Sequence, residues 1–172
     1  QHFFLGAIRD VSAQKALEDE RRDAEARLRS TMADLDARER ALDDHAIVSV
    51  TDLGGTIVYA NRKFSDVSGY SNAELIGQNH RILKSGLHDA SFYRELWTTI
   101  RAGRTWHGEI ANRRKDGEIY WVTSTIVPVL DAEGRPHRYI AIRTDITEQK
   151  RATEQAALAR ERELSLGFQI QQ

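Results

Sequence analysis

Apolar side chains recur along this chain with two different periods, and the change of period divides it. From Val11 to Asp43 the pattern is helical and thin. Leu28, Leu35 and Leu42 fall seven residues apart, with Leu17, Ala24 and Thr31 before and between them. Arg21 and Arg38 interrupt the stripe. No Gly, Pro or aromatic residue occurs there, and sixteen of the 33 residues are charged with interspersed signs. That is the composition of a solvent-facing helix. The spacing predicts a helix over 11–43 that pairs as a weak two-stranded coiled coil. A single solvated helix lying on a neighbouring domain is the competing arrangement.

The centre changes to short β-branched runs cut by turn signals. Ala46–Thr51 and Thr56–Ala60 flank Asp52-Leu53-Gly54-Gly55, which predicts a hairpin. Trp106–Asn112 and Ile119–Val129 flank Lys115-Asp116-Gly117-Glu118, a second hairpin. His137–Arg143 is a fifth strand after the turn at Asp131-Ala132-Glu133-Gly134. Between the second and third strands lie three helical pieces: Asn61–Ser68 ending at Gly69, Ser71–Ile76 ending at Gly77, and Ser91–Ala102 ending at Gly103 with Ser91 as N-cap. The order β-β-α-α-α-β-β-β predicts an α+β domain, an antiparallel sheet with helices on one face.

A charged, Gly-poor tail follows from Thr147 and predicts a helix capped by Asp145 or Thr147. The opening residues repeat the end of the central domain. His2 to Lys15 aligns without gaps on His137 to Lys150, with four identities. The simplest account makes residues 1–10 the last strand of a preceding, truncated copy of the same domain. The expected organisation is then 1–10 as that strand, 11–43 as a helical linker, 44–147 as the domain, and 148–172 as a helix leading to an output domain outside this chain.

Composition removes several functions. There is no cysteine, which excludes disulfides, thiolate metal sites, thiol catalysis and cysteinyl cofactor adducts. Twenty-five basic residues against 26 acidic ones lack the basic excess of a nucleic-acid binder, and no nucleic-acid partner is expected. No apolar run approaches the ~20 residues that span a bilayer, and no signal peptide is visible. A cytoplasmic piece of a longer protein is expected. The six histidines show no metal spacing. No phosphate-binding Gly loop, paired carboxylates or nucleophile triad appears, so no enzyme activity is expected of this chain itself.

Residues 41–150 carry a resemblance. Ile47-Val48-Ser49-Val50-Thr51-Asp52, Tyr59-Ala60-Asn61, Gly69-Tyr70-Ser71, Gly77-Gln78-Asn79, Asn112 to Gly117 and Asp145-Ile146-Thr147 occur in the order and spacing of a PAS domain. The resemblance implies a five-stranded antiparallel sheet with a helical flap over a pocket, flanked by N- and C-terminal signalling helices. It also implies a sensory or relay role in a bacterial signalling protein, whose output domain would be a phosphatase, a histidine kinase or a diguanylate cyclase.

Within that family the chain resembles the flavin-binding branches, which implies FAD as cofactor and redox or light state as signal. Asn79-His80-Arg81-Ile82-Leu83-Lys84 sits where LOV photosensors carry Asn-Cys-Arg. His80 replaces the cysteine, so LOV photochemistry is excluded. Asn112 matches an amide on the flavin edge, able both to donate and to accept. Trp97 and Trp106 resemble aromatic positions of FAD-binding redox sensors, and Arg81 and Lys84 suit a phosphate. Ser49 completes the candidate set. Val122 and Arg143 stand where LOV domains place a second amide and a glutamine. Trp97 also fits a core position, spaced helically from Tyr93 and Ile100, and Asn112 also fits a strand-end satisfier. A pocket without cofactor that only dimerises and relays is the rival reading, and haem held by His80 or His88 ranks below it. Apolar residues on both sheet faces, with Trp121, Ile140 and Ile142 on one of them, imply a homodimer through the N-terminal helix and that outer face.

Overall fold

The computed structural model describes the backbone of residues 2–169 and the side chains of 11–165 apart from 39, 42 and 44. Contacts divide the chain into two units, 1–41 and 42–172.

Helix α1 runs His2–His45. The strand expected over the opening residues is therefore helix from His2 onward. A lone strand leaves its backbone groups without a ladder, whereas a helix satisfies them within the segment. On α1, Leu17, Leu28, Met32 and Leu35 are exposed. Arg21 and Arg29 both reach Glu25, and Arg38 reaches Asp34, across i,i+4 spacings. The side chain of Leu42, the last residue of the expected stripe, lies outside those described.

In the second unit β1 (Ile47–Thr51) and β2 (Ile57–Ala60) form the first hairpin. Its turn closes because Asp52 Oδ1 accepts from Gly54 N and Thr56 N, at 2.9 and 2.8 Å. Helices α2 (Arg62–Ser68) and α3 (Asn72–Leu75), a 3-10 helix at His80–Leu83 and α4 (Ala90–Arg101) come next. Then follow β3 (Trp106–Arg113), β4 (Ile119–Leu130), β5 (Pro136–Asp145) and α5 (Thr147–Gln169). All sheet pairs are antiparallel, in the order β2-β1-β5-β4-β3. The expected α+β architecture is present.

Caps decide the helix ends. Asn61 caps α2 and also accepts from Val48 N while donating to Ala46 O, so one amide side chain ties the helix to β1. Ser71 and Glu74 form a capping box on α3. On α4 the cap is Asp89, two residues ahead of expectation. Its Oδ1 accepts from Phe92 N, and Ser91 donates to it at 2.6 Å. A carboxylate accepts both bonds, so Ser91 serves the cap rather than being it.

The inner face of the sheet carries Ile47, Tyr120, Val122, Ile126, Tyr139 and Ala141, packed against Phe64, Leu75, Leu83, Leu96 and Ile100 from the helical insert. The insert also straps both sheet edges. On β3, Ala111 N donates to His88 Nε2 at 2.8 Å and Ala111 O accepts from Ser85 Oγ at 2.6 Å. On β2, Ile57 N donates to Gln78 O, and Gly77 N donates to Ile57 O, both at 2.8 Å. The outer face leaves Val127 and Ile142 more than a third exposed.

Candidate functional site

A cavity of about 290 Å³ opens between the sheet and the helical insert. Its floor is Arg143 on β5, which is 4% exposed. Nη1 donates to Ser49 Oγ at 3.0 Å, and Nη2 meets His80 Nε2 at 2.9 Å. Arg143 can only donate, so His80 Nε2 accepts and the ring proton sits on Nδ1. Phe64 lies beneath both, with its ring stacked on His80 at 5.7 Å and the Arg143 guanidinium 5.8 Å from its centre. One wall is Asn112, Ile110 and Ile126. Opposite stand Trp97, Tyr93, Leu96 and Ile100 of α4. Gly55 is held at φ 84°, and a Cβ there would lie 3.1 Å from the Trp97 ring, so glycine permits that close approach. Tyr139 meets Trp97 edge-on at 5.9 Å.

Charge is one-sided. Arg81, Lys84, Arg101 and Arg143 line the cavity, and no carboxylate does. The three others are exposed at its mouth. Lys84 sits 4.1 Å from the Tyr93 ring centre and Arg101 5.0 Å from that of Trp97. Burial holds the Arg143 guanidinium down to about 10 and the Tyr120 hydroxyl up to about 12. Burial, with Arg143 adjacent, holds His80 down to about 3.

That shift fixes an acid response. His80 is neutral in the fold and free to protonate near pH 6.5 when unfolded, so its contribution is complete above that pH. It is lost progressively as pH falls from 6.5 toward 3. Between pH 6.5 and 5 the loss amounts to at most about 2 kcal/mol. Urea unfolding at several pH values checks it. In His80→Gln, whose oxygen still accepts from Arg143, the slope between pH 6.5 and 5 shrinks. An unchanged slope would remove His80 as the source.

Of the residues singled out from the sequence, His80, Arg81, Lys84, Trp97, Asn112 and Arg143 line one cavity. Ser49 lies behind it, bonded to Arg143. Val122 is fully buried in the core and does not line it. Trp106, expected as an aromatic wall, is a correction. Its ring folds over Gly108, where a Cβ would come within 2.5 Å, and packs edge-on against Phe92 at 5.7 Å. It fills the core beyond the cavity. Sequence reading missed Arg101, Tyr139 and Gly55. Arg101 stands i+4 from Trp97, and Tyr139 shares the strand face of Ala141 and Arg143, so both were within reach of periodicity.

The junction with α5 is equally well defined. Thr147 Oγ1 accepts from Trp121 N at 2.9 Å, and Thr147 N donates to Asp145 Oδ1 at 2.9 Å. Asp145 also meets Arg114 at 3.4 Å. Lys150 pairs with Glu109 and covers the Trp121 ring. Residues 44–148 match the sequence profile described as PAS domain. The chain belongs to the PAS domain family.

The relatives of this PAS unit occur in sensory and regulatory proteins. It is 39% identical over 100 residues to a nitrogen fixation regulatory protein of Klebsiella oxytoca, covering 58% of this chain and 20% of that one. It is 38% identical over 108 residues to the aerotaxis receptor of Escherichia coli K12, covering 63% and 21%. The chain thus spans about a fifth of these relatives. Among solved structures, an RNA-binding light-oxygen-voltage receptor superposes with TM-score 0.62 at 29% identity, over 71% of this chain and 36% of that one. The LOV domain of the Erythrobacter litoralis EL346 blue-light activated histidine kinase gives 0.54 at 26% identity, over 59% and 95%.

Proposed function

We propose that this chain is the sensory PAS module of a signal-transduction protein, that its cavity holds FAD, and that it relays redox or light state through its flanking helices to an output domain. The observation that carries the reading is the cavity itself, with an aromatic and aliphatic wall, an amide edge at Asn112 and a cationic mouth. Its volume lies at the low end of the ~300–1,000 Å³ usual for small-molecule sites. That is room for a ring system, with the nucleotide tail at the mouth beside Arg81, Lys84 and Arg101. A flavin supplies reversible electron uptake and a blue-light chromophore. This chain's own residues orient the ring, exclude water and fix charge beside it.

The first measurement is the absorbance of the purified protein and of its denatured supernatant. Asn112→Ala then removes a 5% exposed amide from the cavity wall. Leaving a polar ring edge unpaired costs about 1–3 kcal/mol, so FAD affinity falls roughly tenfold to a hundredfold with the melting curve little changed. Unchanged affinity makes Asn112 structural. A colourless protein that FAD does not restore makes the module a cofactor-free relay. Haem fits less well, because His80 Nε2 faces Arg143 and His88 Nε2 already accepts from Ala111 N.

The same reading includes a parallel homodimer through the α1 stripe and the outer face around Trp121, Ile140 and Ile142, which sets two output helices side by side. Light scattering at high concentration should report twice the chain mass, and a persistent monomer rejects it. Among the described residues no helix is long and apolar enough to cross a membrane. A cytoplasmic location belongs to this proposal.

A further inference from the structure

Arg143 poses a problem that the fold does not solve. It is a buried cation whose side-chain partners, Ser49 and His80, are both uncharged. Its Nε has no partner, and neither does the buried Oγ of Ser124, the residue paired with it across β4 and β5. Tyr120 acts on Arg143 electrostatically, but its hydroxyl is held protonated at neutral pH. Asp145, two residues along the strand, is engaged by Arg114 and Thr147. An arginine keeps its charge at neutral pH even when burial lowers its pKa, and an unpaired buried charge is costly. The cations at the mouth add to this charge, and no carboxylate lines the cavity to balance it. The missing counter-charge has one open place to come from, the cavity.

We propose that the Arg143 end of the cavity is an anion-recognition site, and that the natural occupant is a planar organic molecule presenting a carboxylate or comparable anionic edge to the Arg143 guanidinium. The proposal goes beyond the flavin reading, since it concerns the charge of the occupant at the floor: an aromatic acid carries that charge as a carboxylate, a flavin ring only in its reduced, deprotonated state. A neutral molecule of the same shape fills the same space but leaves the guanidinium unpaired, so the site discriminates by charge rather than by form. His80 contributes by staying neutral, accepting from Arg143 and so holding its fork in place.

Benzoate and benzamide test this, being nearly identical in shape and different in charge. The full chain, stripped of any flavin, is titrated with each by calorimetry, and the Arg143 Nε–H resonance is followed by NMR. Benzoate is expected to bind at least tenfold more tightly than benzamide and to shift that resonance. In Arg143→Gln the ratio falls to about one. Equal binding of the two probes, no binding of either, or a ratio unchanged in Arg143→Gln overturns the proposal, the last because it would assign the preference to the mouth cations. If Arg143→Gln does not fold, the wild-type ratio and the Nε–H shift decide. FAD is then added as competitor. Displacement of benzoate puts flavin and anion in one cavity. Failure of FAD to bind or to displace benzoate sinks the flavin reading while the anion site stands, and FAD binding without any benzoate preference does the reverse.

Discussion

Replacing Phe64 by alanine should lower unfolding stability by about 3–5 kcal/mol, the range for deleting a fully buried aromatic ring. Phe64 is 1% exposed and belongs to the core cluster. It does more than fill space, because its ring underlies both His80 and Arg143. Without it the imidazole loses its stacking partner and the guanidinium loses the one aromatic face beneath it. Ligand binding at the cavity should therefore fail at temperatures where the fold still survives. Leu87→Ala is the control. That side chain is 61% exposed, and a surface change of this kind stays within about 0.5 kcal/mol. Urea denaturation of both variants reads the difference. A loss below 1 kcal/mol for Phe64→Ala would mean the site is far more plastic than its packing implies.

The second large effect is local. Thr147→Val keeps shape but removes the oxygen that accepts from Trp121 N and donates to Asp145. Thr147 is 7% exposed, so the Trp121 N–H is left shielded with no acceptor, at about 1–3 kcal/mol. The loss should concentrate at the start of α5, because Thr147 N and Asp145 together define where that helix begins. Hydrogen exchange of the amides at 148–151 should speed up well before those of β4 and β5 do. Uniform acceleration across the sheet would show that the junction is not a separate cooperative unit.

The sequence carried more of the sheet than of the site. Strand positions and both hairpins were legible because Asp-Leu-Gly and Asp-Gly turns and β-branched alternation are local signals, read without knowing the tertiary partner. Alternation also put Ile140 and Ile142 on the outer face, and Ile142 is more than a third exposed there. What failed depended on distant or competing groups. Trp106 shares a strand face with Asn112, and only the absent side chain of Gly108 lets its ring fold away from the cavity. Ser91 had the right chemistry for a cap, yet Asp89 two residues earlier accepts more strongly. The 3-10 helix at His80–Leu83 has no periodicity long enough to read. Residues 2–10 resemble a strand because their apolar pattern copies one, and a strand is realised only beside another. His88 gave no sequence signal for its bond to Ala111, since nothing local announces an imidazole reaching across 23 positions.

The straps along β2 and β3 have a consequence for how such modules coexist. A sheet with a bare margin can recruit a foreign strand, and closely related domains at high local concentration are where that goes wrong. Here Ile57 at one margin and Ala111 at the other already exchange their backbone bonds with the insert. At those two positions the backbone has no free bond to offer a strand from another copy, which guards each fold against trading strands at its margins.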